Sequence, residues 1–193
     1  MSRRGYSLIE LVVCVALMLV LVGVATPAWL IARAGVRAVG AADYVASRLH
    51  VARLEALKRR ANVAVRFEAE AGDFRWAMYA DGNGNGVRTA EIAAGIDPLI
   101  RAHERLSDHF PGVGFRILDL AEPIDGADGA DQADPIRVGR SRMISFSPTG
   151  TSSSGTVYIG GQGPHQLAVR VLGATGRIRA LTFNFSSGSW EPR

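Results

Sequence analysis

The sequence predicts an α+β fold in which one long N-terminal helix packs on antiparallel β-sheet. The chain opens with a long apolar run, and after this run apolar residues recur every three or four positions until about residue 60. From residue 61 the pattern changes to short alternating runs that are typical of strands. With 193 residues, the chain is long enough for one ordinary domain in addition to the apolar run.

The apolar run is long enough to cross a membrane. No charged residue occurs from Leu11 to Ala32, and a helix needs about 20 residues to span the hydrocarbon core of a bilayer. Arg3 and Arg4 precede the run, so the positive-inside rule places the N-terminus in the cytoplasm. A secretory signal peptide would have a shorter apolar core. We therefore expect residues 6–32 to form a single-pass transmembrane helix.

The same helix is expected to continue as an amphipathic segment over residues 33–60. Pro27 lacks the N–H that a helical residue donates, so a kink or a locally melted turn is expected near it. In the amphipathic half, one apolar stripe should face a sheet. The members of this stripe are Val36, Val39, Ala42, Val45, Leu49, Ala52 and Ala56.

Six runs predict the strands of a β-rich domain that covers residues 61–193. An acidic segment of small residues, 121–135, separates two of these runs and is expected to be a solvated loop. The predicted strands are Val63–Phe67, Phe74–Tyr79, Met143–Phe146, Thr156–Ile159, Leu167–Leu172 and Arg177–Phe183.

Glu10 lies just inside the apolar run, where a charge is costly. On insertion scales an acidic side chain at the centre of a membrane helix costs about 2.5–3.5 kcal/mol. We therefore expect a partner to neutralise Glu10.

The stretch from Gly5 to Glu10, GYSLIE, resembles the type IV prepilin leader, although family members more often carry Phe at the position of Tyr6. The resemblance implies that residues 1–5 are a leader, that a membrane prepilin peptidase cuts after Gly5, and that Tyr6 becomes the N-methylated first residue. The new α-amino group of a neighbouring subunit could then pair with Glu10, which makes Glu10 an expected assembly residue. A plain membrane anchor with an unexplained Glu is the alternative.

Nearly the whole chain resembles the GspH/FimT group of pseudopilins and minor pilins. The resemblance implies a pilin-like fold and a non-enzymatic filament subunit, anchored in the bacterial inner membrane with a periplasmic head and with other pilins or pseudopilins as partners. We expect a role in type II secretion, and the alternative is a minor type IV pilin that binds DNA in pilus assembly or DNA uptake. The segments that carry the resemblance are the leader, Ala52–Arg59, Asp81–Gly86, Ser145–Gly150 and Gly176–Arg179.

The segment Asp81–Gly86, DGNGNG, fits the first half of a calcium loop. Its oxygen donors would be Asp81, Asn83 and Asn85, but Glu91 comes one place before the position of the bidentate Glu. A glycine-rich hairpin turn is therefore the preferred interpretation, and a weak calcium site is the alternative. No other metal or cofactor is expected.

Arg177 and Arg179 are the candidate DNA-binding residues. Two arginines two positions apart on a strand face the same way and can contact successive phosphates. The segment Gly176–Arg179, GRIR, resembles the GRxR motif associated with DNA binding in the FimT branch. An ordinary solvated strand is the alternative. The net charge of +4, part of which belongs to the leader arginines, argues only weakly for a polyanionic partner.

Catalysis has little support in the sequence. His50, His103, His109 and His165 match no zinc signature, and no nucleophile elbow or phosphate loop occurs. The single cysteine, Cys14, lies in the apolar run, which leaves no intrachain disulfide. The hydroxyl-rich segment 151–154 is expected to be a flexible turn.

Overall fold

A computed structural model of the chain describes residues 7–119, 121–124 and 134–193. Helix α1 (Leu8–Arg59) is uninterrupted, so the melted turn expected near Pro27 does not form. The helix ends because Arg60 adopts a left-handed conformation, with φ of 56°, and its N–H donates to the carbonyl of Leu57 at 3.4 Å.

The two halves of α1 differ in what surrounds them. In the first half, the large apolar side chains that the structure describes, from Leu8 to Ile31, expose between 47% and 82% of their surface. Burial begins at Ala38, where the helix meets the rest of the domain. Within the described residues, no helix combines the length and the apolar character that crossing a membrane requires.

The rest of the described chain is mostly β-structure. The six predicted strands all form, and the structure adds four strands and two short helices that were not predicted. In chain order the elements are β1 (Val63–Glu70), β2 (Asp73–Ala80), α2 (Thr89–Ala93), β3 (Leu99–Arg105), α3 (Leu106–His109), β4 (Gly114–Phe115), β5 (Ile136–Arg137), β6 (Met143–Phe146), β7 (Gly155–Gly160), β8 (Gln166–Leu172), β9 (Arg177–Asn184) and β10 (Ser189–Pro192).

The strands form two antiparallel sheets. The first has the order β3-β2-β1-β6, and the second has the order β10-β9-β8-β7-β4, with β5 also paired to β7. β1 and β2 join through Ala71 and Gly72, whose φ values of 47° and 82° give the two-residue turn that suits twisted strands. The chain passes from the first sheet to the second after β3, returns to the first sheet for β6 and enters the second sheet again at β7.

The second half of α1 packs against both sheets through small side chains. Val36 was expected on the buried stripe, but 73% of it is exposed, because the stripe begins at Ala38 and continues through Ala41 instead. Alanines let the helix backbone approach the sheets closely. The helix residues in the core are Ala38, Ala41, Ala42, Val45, Leu49, Ala52 and Ala56.

A polar cluster fixes α1 to the edge of the first sheet. The Tyr44 hydroxyl donates to Glu104 Oε2 on β3 at 2.6 Å and accepts a hydrogen bond from Arg48 Nη2 at 2.6 Å. Arg48 Nε lies 3.2 Å from the same Glu104 oxygen. Burial and the hydrogen bond to the Glu104 carboxylate raise the pKa of Tyr44 above its usual value, so the phenol stays protonated and donates.

Candidate functional site

The residues expected to take part in assembly lie at the start of the chain. Gly5 and Tyr6 are outside the described residues. Glu10 is in the first turn of α1, where its carboxylate is exposed between the equally exposed side chains of Ile9 and Leu11. In the part of the chain that the structure describes, Glu10 has no ion pair. The helix therefore presents one carboxylate on an otherwise apolar surface.

The two candidate DNA-binding arginines lie at the start of β9. Arg177 and Arg179 are both exposed, whereas Ile178 between them packs against the core. Among the described residues, neither guanidinium group has a hydrogen bond or an ion pair. Their charges are therefore available to a ligand on the outer face of the second sheet.

Arg170 joins this pair through the register of the second sheet. It lies on β8 directly opposite Arg179, so both side chains leave the same face of the sheet. Like charges directly opposite each other destabilise a sheet unless anions balance them. Arg170 was not predicted from the sequence, because only the pairing register brings it beside Arg179. The sequence feature that could have drawn attention to Arg170 is its charge within a mostly apolar strand.

Arg53 on α1 holds the turn that leads into β9. Its Nη1 donates to the carbonyl of Gly176 at 3.1 Å, and its Nη2 donates to the carbonyl of Thr175 at 3.2 Å. Gly176 has a φ of 59°, and a Cβ there would lie 2.5 Å from the carbonyl oxygen of Gly150. The turn before β9 therefore contacts both α1 and the turn after β6.

The hydroxyl-rich segment 151–154, which was expected to be a flexible turn, makes hydrogen bonds with its neighbours, and Ser152 forms a β-bridge with Phe146. Ser153 exchanges hydrogen bonds with Ser145 on β6: its N–H donates to the Ser145 carbonyl at 2.9 Å, and its Oγ accepts from the Ser145 N–H at 2.8 Å. The Ser152 N–H donates to the carbonyl of Gly173 at 2.8 Å, and Ser154 Oγ accepts from the Gly173 N–H at 3.0 Å. These serines join the two sheets.

The segment that begins at Asp81 lies between β2 and β3. A short glycine-rich hairpin turn was the preferred interpretation, but the connection runs from residue 81 to residue 98 and contains α2. Asp81 fixes the start of this connection. Its carboxylate accepts hydrogen bonds from the backbone N–H groups of Asn83 at 3.2 Å, Gly84 at 2.7 Å and Gly86 at 2.7 Å. Asn62 Nδ2 donates to the same carboxylate at 2.9 Å. Asp81 thus receives four donors from the protein itself.

The pKa of Asp81 reflects these contacts. Burial favours the neutral acid, but the Asn62 side chain and the three backbone N–H donors outweigh burial and hold the pKa below its usual value. Asp97, which the sequence analysis missed, is also buried and accepts from the N–H groups of Gly82 at 3.0 Å and Arg88 at 2.8 Å. Two carboxylates therefore fix the shape of this loop.

The other proposed calcium ligands are hydrogen-bonded to one another within the loop. Asn85 Nδ2 donates to Glu91 Oε1 at 2.8 Å, and Asn83 Oδ1 accepts from the Asn85 N–H at 3.3 Å. In the described part of the chain, no three side chains of the His, Cys, Asp and Glu types come together as a metal site. The calcium interpretation stays a prediction.

Comparison with known proteins gives two family matches. The family described as type II transport protein GspH matches residues 41–176, and the prokaryotic N-terminal methylation motif matches residues 1–26. No curated protein matches the chain. Among solved structures, the minor pseudopilin EpsH from the type II secretion system of Vibrio cholerae is similar, with 13% sequence identity and a TM-score of 0.37. The similarity covers 84% of this chain and 94% of that one.

Proposed function

Because the chain belongs to the GspH family of type II transport proteins, we propose that it is a minor pseudopilin that assembles into a pilus-like filament for protein secretion. Members of this family are structural subunits and not enzymes. The observation that carries the proposal is the division of α1 into an exposed apolar half and a half that packs on the head.

The exposed half of α1 supports assembly because its surface needs a nonaqueous neighbour. Apolar side chains on every side of a helix are stable in lipid or against other helices, not in water. Before assembly, residues 6–32 would lie in the inner membrane and residues 61–193 in the periplasm, with residues 33–60 joining them. In the filament, the same apolar surface would contact the helices of neighbouring subunits.

The position of Glu10, in the first turn of α1, supports the same proposal. The match to the methylation motif over residues 1–26 favours cleavage after Gly5 by a prepilin peptidase and methylation of Tyr6. The α-amino cation of Tyr6 in a neighbouring subunit would then neutralise Glu10, which has no ion pair among the described residues. A buried ion pair of this kind specifies register, since only one alignment of two helices satisfies both charges.

Deletion of the gene in the source bacterium tests the proposal. We expect type II exoproteins to accumulate in the periplasm of the deletion strain and to return to the medium when the wild-type chain is restored. Normal secretion in the deletion strain would refute a role in type II secretion.

A second candidate function is DNA binding, and a row of three arginines on the second sheet favours it, of which Arg177 and Arg179 are exposed and Arg170 is half-buried. Arg177, Arg179 and Arg170 leave the same face of the sheet. Such a row would follow a phosphate backbone without reading base sequence.

The test is binding of labelled duplex DNA to the full chain in detergent micelles across a range of salt concentrations. Replacing Arg177 and Arg179 with Ala should weaken binding to every sequence alike and lower the log–log salt slope by roughly 0.9 per lost contact. Absence of binding at low salt would exclude this candidate.

A further inference from the structure

Arg53 is the point at which three distant segments of the chain meet. Its guanidinium group extends from α1 to the two carbonyls of the turn before β9, those of Thr175 and Gly176, at 3.2 and 3.1 Å. A Cβ on Gly150, in the turn after β6, would lie 3.9 Å from Arg53 Nη2. Arg53 therefore connects α1 to the turn before β9, close to the turn after β6.

These contacts leave no space for the turn to move toward its neighbours. A Cβ on Gly176 would lie 2.5 Å from the Gly150 carbonyl oxygen and 3.4 Å from Arg53 Nε, and its φ of 59° already favours glycine. Backbone atoms are in direct contact here, so the position of Gly176 relative to α1 is closely defined.

The exposed arginines start at this fixed point. Arg177 follows Gly176 directly, and Arg179 is two residues further along the same strand. Both guanidinium groups lack partners among the described residues, so the contacts that fix these arginines relative to α1 are those of the β9 backbone from which the side chains start. That backbone is fixed where Arg53 binds it.

We propose that Arg53 is a positioning residue that sets where the start of β9, and with it the backbone of Arg177 and Arg179, lies relative to α1. Arg53 acts through the β9 backbone and does not itself bind the ligand. The ligand in the test below rests on the second proposed function, whereas the positioning role rests only on the contacts of Arg53.

The first measurement needs no ligand. Hydrogen exchange of the full chain in detergent micelles would be compared among the wild type, Arg53→Gln and Arg59→Gln. Arg59 is the matched control, because it lies on the same helix and pairs with Glu55 at 2.9 Å without contacting the turn. We expect the amides of residues 173–179 to exchange about tenfold faster in Arg53→Gln, since hydrogen bonds from a charged donor are lost. Exchange in β1 should be unchanged, and Arg59→Gln should match the wild type throughout.

Arg53→Lys separates geometry from charge. A lysine keeps the positive charge, but its compact ammonium group cannot reproduce the planar fork that reaches two carbonyls. We therefore expect residues 173–179 to exchange faster in Arg53→Lys as well. Wild-type exchange in both Arg53 variants would overturn the proposal. Arg53→Lys also provides the test if Arg53→Gln fails to fold.

The second measurement asks whether Arg53 acts through the arginine pair. Binding of a 20-base-pair duplex would be measured for Arg53→Gln in the wild-type background and in the background of Arg177→Ala with Arg179→Ala. A positioning residue should weaken binding about tenfold in the first background and leave it unchanged in the second, because the pair through which it acts is gone. Equal weakening in both backgrounds would make Arg53 a direct contact and would contradict the proposal. If the wild type binds no duplex, the DNA candidate fails, and the exchange measurement alone decides the positioning role.

Discussion

Two glycines at opposite ends of β9 differ in how tightly their surroundings are packed. Gly176 and Gly188 have almost the same left-handed backbone, with φ of 59° and 63°. Their surroundings differ: Gly176 faces the Gly150 carbonyl, whereas no heavy atom lies within 4 Å of a Cβ built on Gly188. A comparison of the same substitution at the two glycines therefore separates the cost of backbone strain from the cost of a steric conflict.

We predict that Gly176→Ala destabilises the protein more than Gly188→Ala. Both substitutions place a Cβ in the left-handed region, which costs about 1–2 kcal/mol. At Gly176, the conflict with the Gly150 carbonyl should add about 1–3 kcal/mol. Denaturant unfolding of the full chain in detergent measures both free energies of unfolding. Equal losses in the two variants would show that the contact between the two turns is not tight.

The lowered pKa of Asp81 makes the stability of the fold depend on pH. Its pKa is lowered in the folded chain, so its stabilising effect is present above the unfolded value of about 3.9 and is lost as pH falls through the folded value. Asp81→Asn should cost about 1–3 kcal/mol at pH 7, because an amide cannot accept all the N–H donors of the loop. This cost should shrink as the pH falls below about 4.

Asp43→Asn is the control for Asp81, because Asp43 is an exposed carboxylate 3.7 Å from Arg193 Nη2. A surface ion pair of this kind contributes about 0–1 kcal/mol. Unfolding curves at pH 7 and pH 3 compare the variants. A constant cost for Asp81→Asn at both pH values would contradict the account of this loop.

At the scale of elements, two side-chain anchors hold α1 to the head. Tyr44 and Arg48 bind Glu104 at the edge of the first sheet, and Arg53 binds the turn before β9 of the second. Between the anchors, the helix contributes small apolar side chains to the core. The anchors therefore supply the directional contacts that small side chains lack.

Tyr44→Phe should weaken the first anchor. It removes the hydroxyl that donates to Glu104, and we expect a loss of about 1–2 kcal/mol in the free energy of unfolding. Tyr79→Phe is the matched control, since the contact of the Tyr79 hydroxyl with His103 Nε2 is longer, at 3.4 Å. A Tyr44→Phe variant as stable as Tyr79→Phe would show that the Glu104 contact does not hold the helix.

The elements differ in how well the sequence predicted them. Strands with long apolar runs, such as β8, were predicted because buried strands consist mostly of apolar residues, which are easily recognised in the sequence. β3 was missed because it is an edge strand whose alternate residues are mostly charged or polar and exposed. β4 and β5 have two residues each, too few for any periodicity, and β10 contains Pro192, which argues against a strand.

The candidate site was predicted only where it is local in sequence. The paired arginines follow from their spacing on one strand. The place of Arg170 opposite Arg179 depends on strand register, and the contact of Arg53 with Gly176 joins residues far apart in the chain. Neither relation leaves a periodic signal. The roles of Asp97 and the serines at 152–154 were missed for the same reason.

At the scale of the whole molecule, the chain consists of a projecting apolar helix and a two-sheet head. Apolar side chains in the first half of α1 are exposed in the isolated subunit, whereas the second half is covered by the sheets. This asymmetry is the observation from which we propose that the first half of α1 is the assembly element.

Processing gives a prediction for the whole chain. The methylation-motif match over residues 1–26 leads us to expect that protein extracted from membranes lacks residues 1–5 and carries an N-methyl group on Tyr6. Intact-mass spectrometry measures both changes at once. Replacing Gly5 with a larger residue should leave the leader in place. Retention of Arg3 and Arg4 by the wild-type chain, in cells with an active prepilin peptidase, would contradict this expectation.

Recovery of the chain in sheared filaments tests the central claim, that α1 is the assembly element and Glu10 its registering charge. Glu10→Val should still enter the membrane, since removing a charge makes the helix more apolar. We predict that the wild type and the control Asp43→Asn appear in both the membrane and the filament fractions, and that Glu10→Val appears in the membrane fraction alone. Equal recovery of Glu10→Val in the filament fraction would contradict the account.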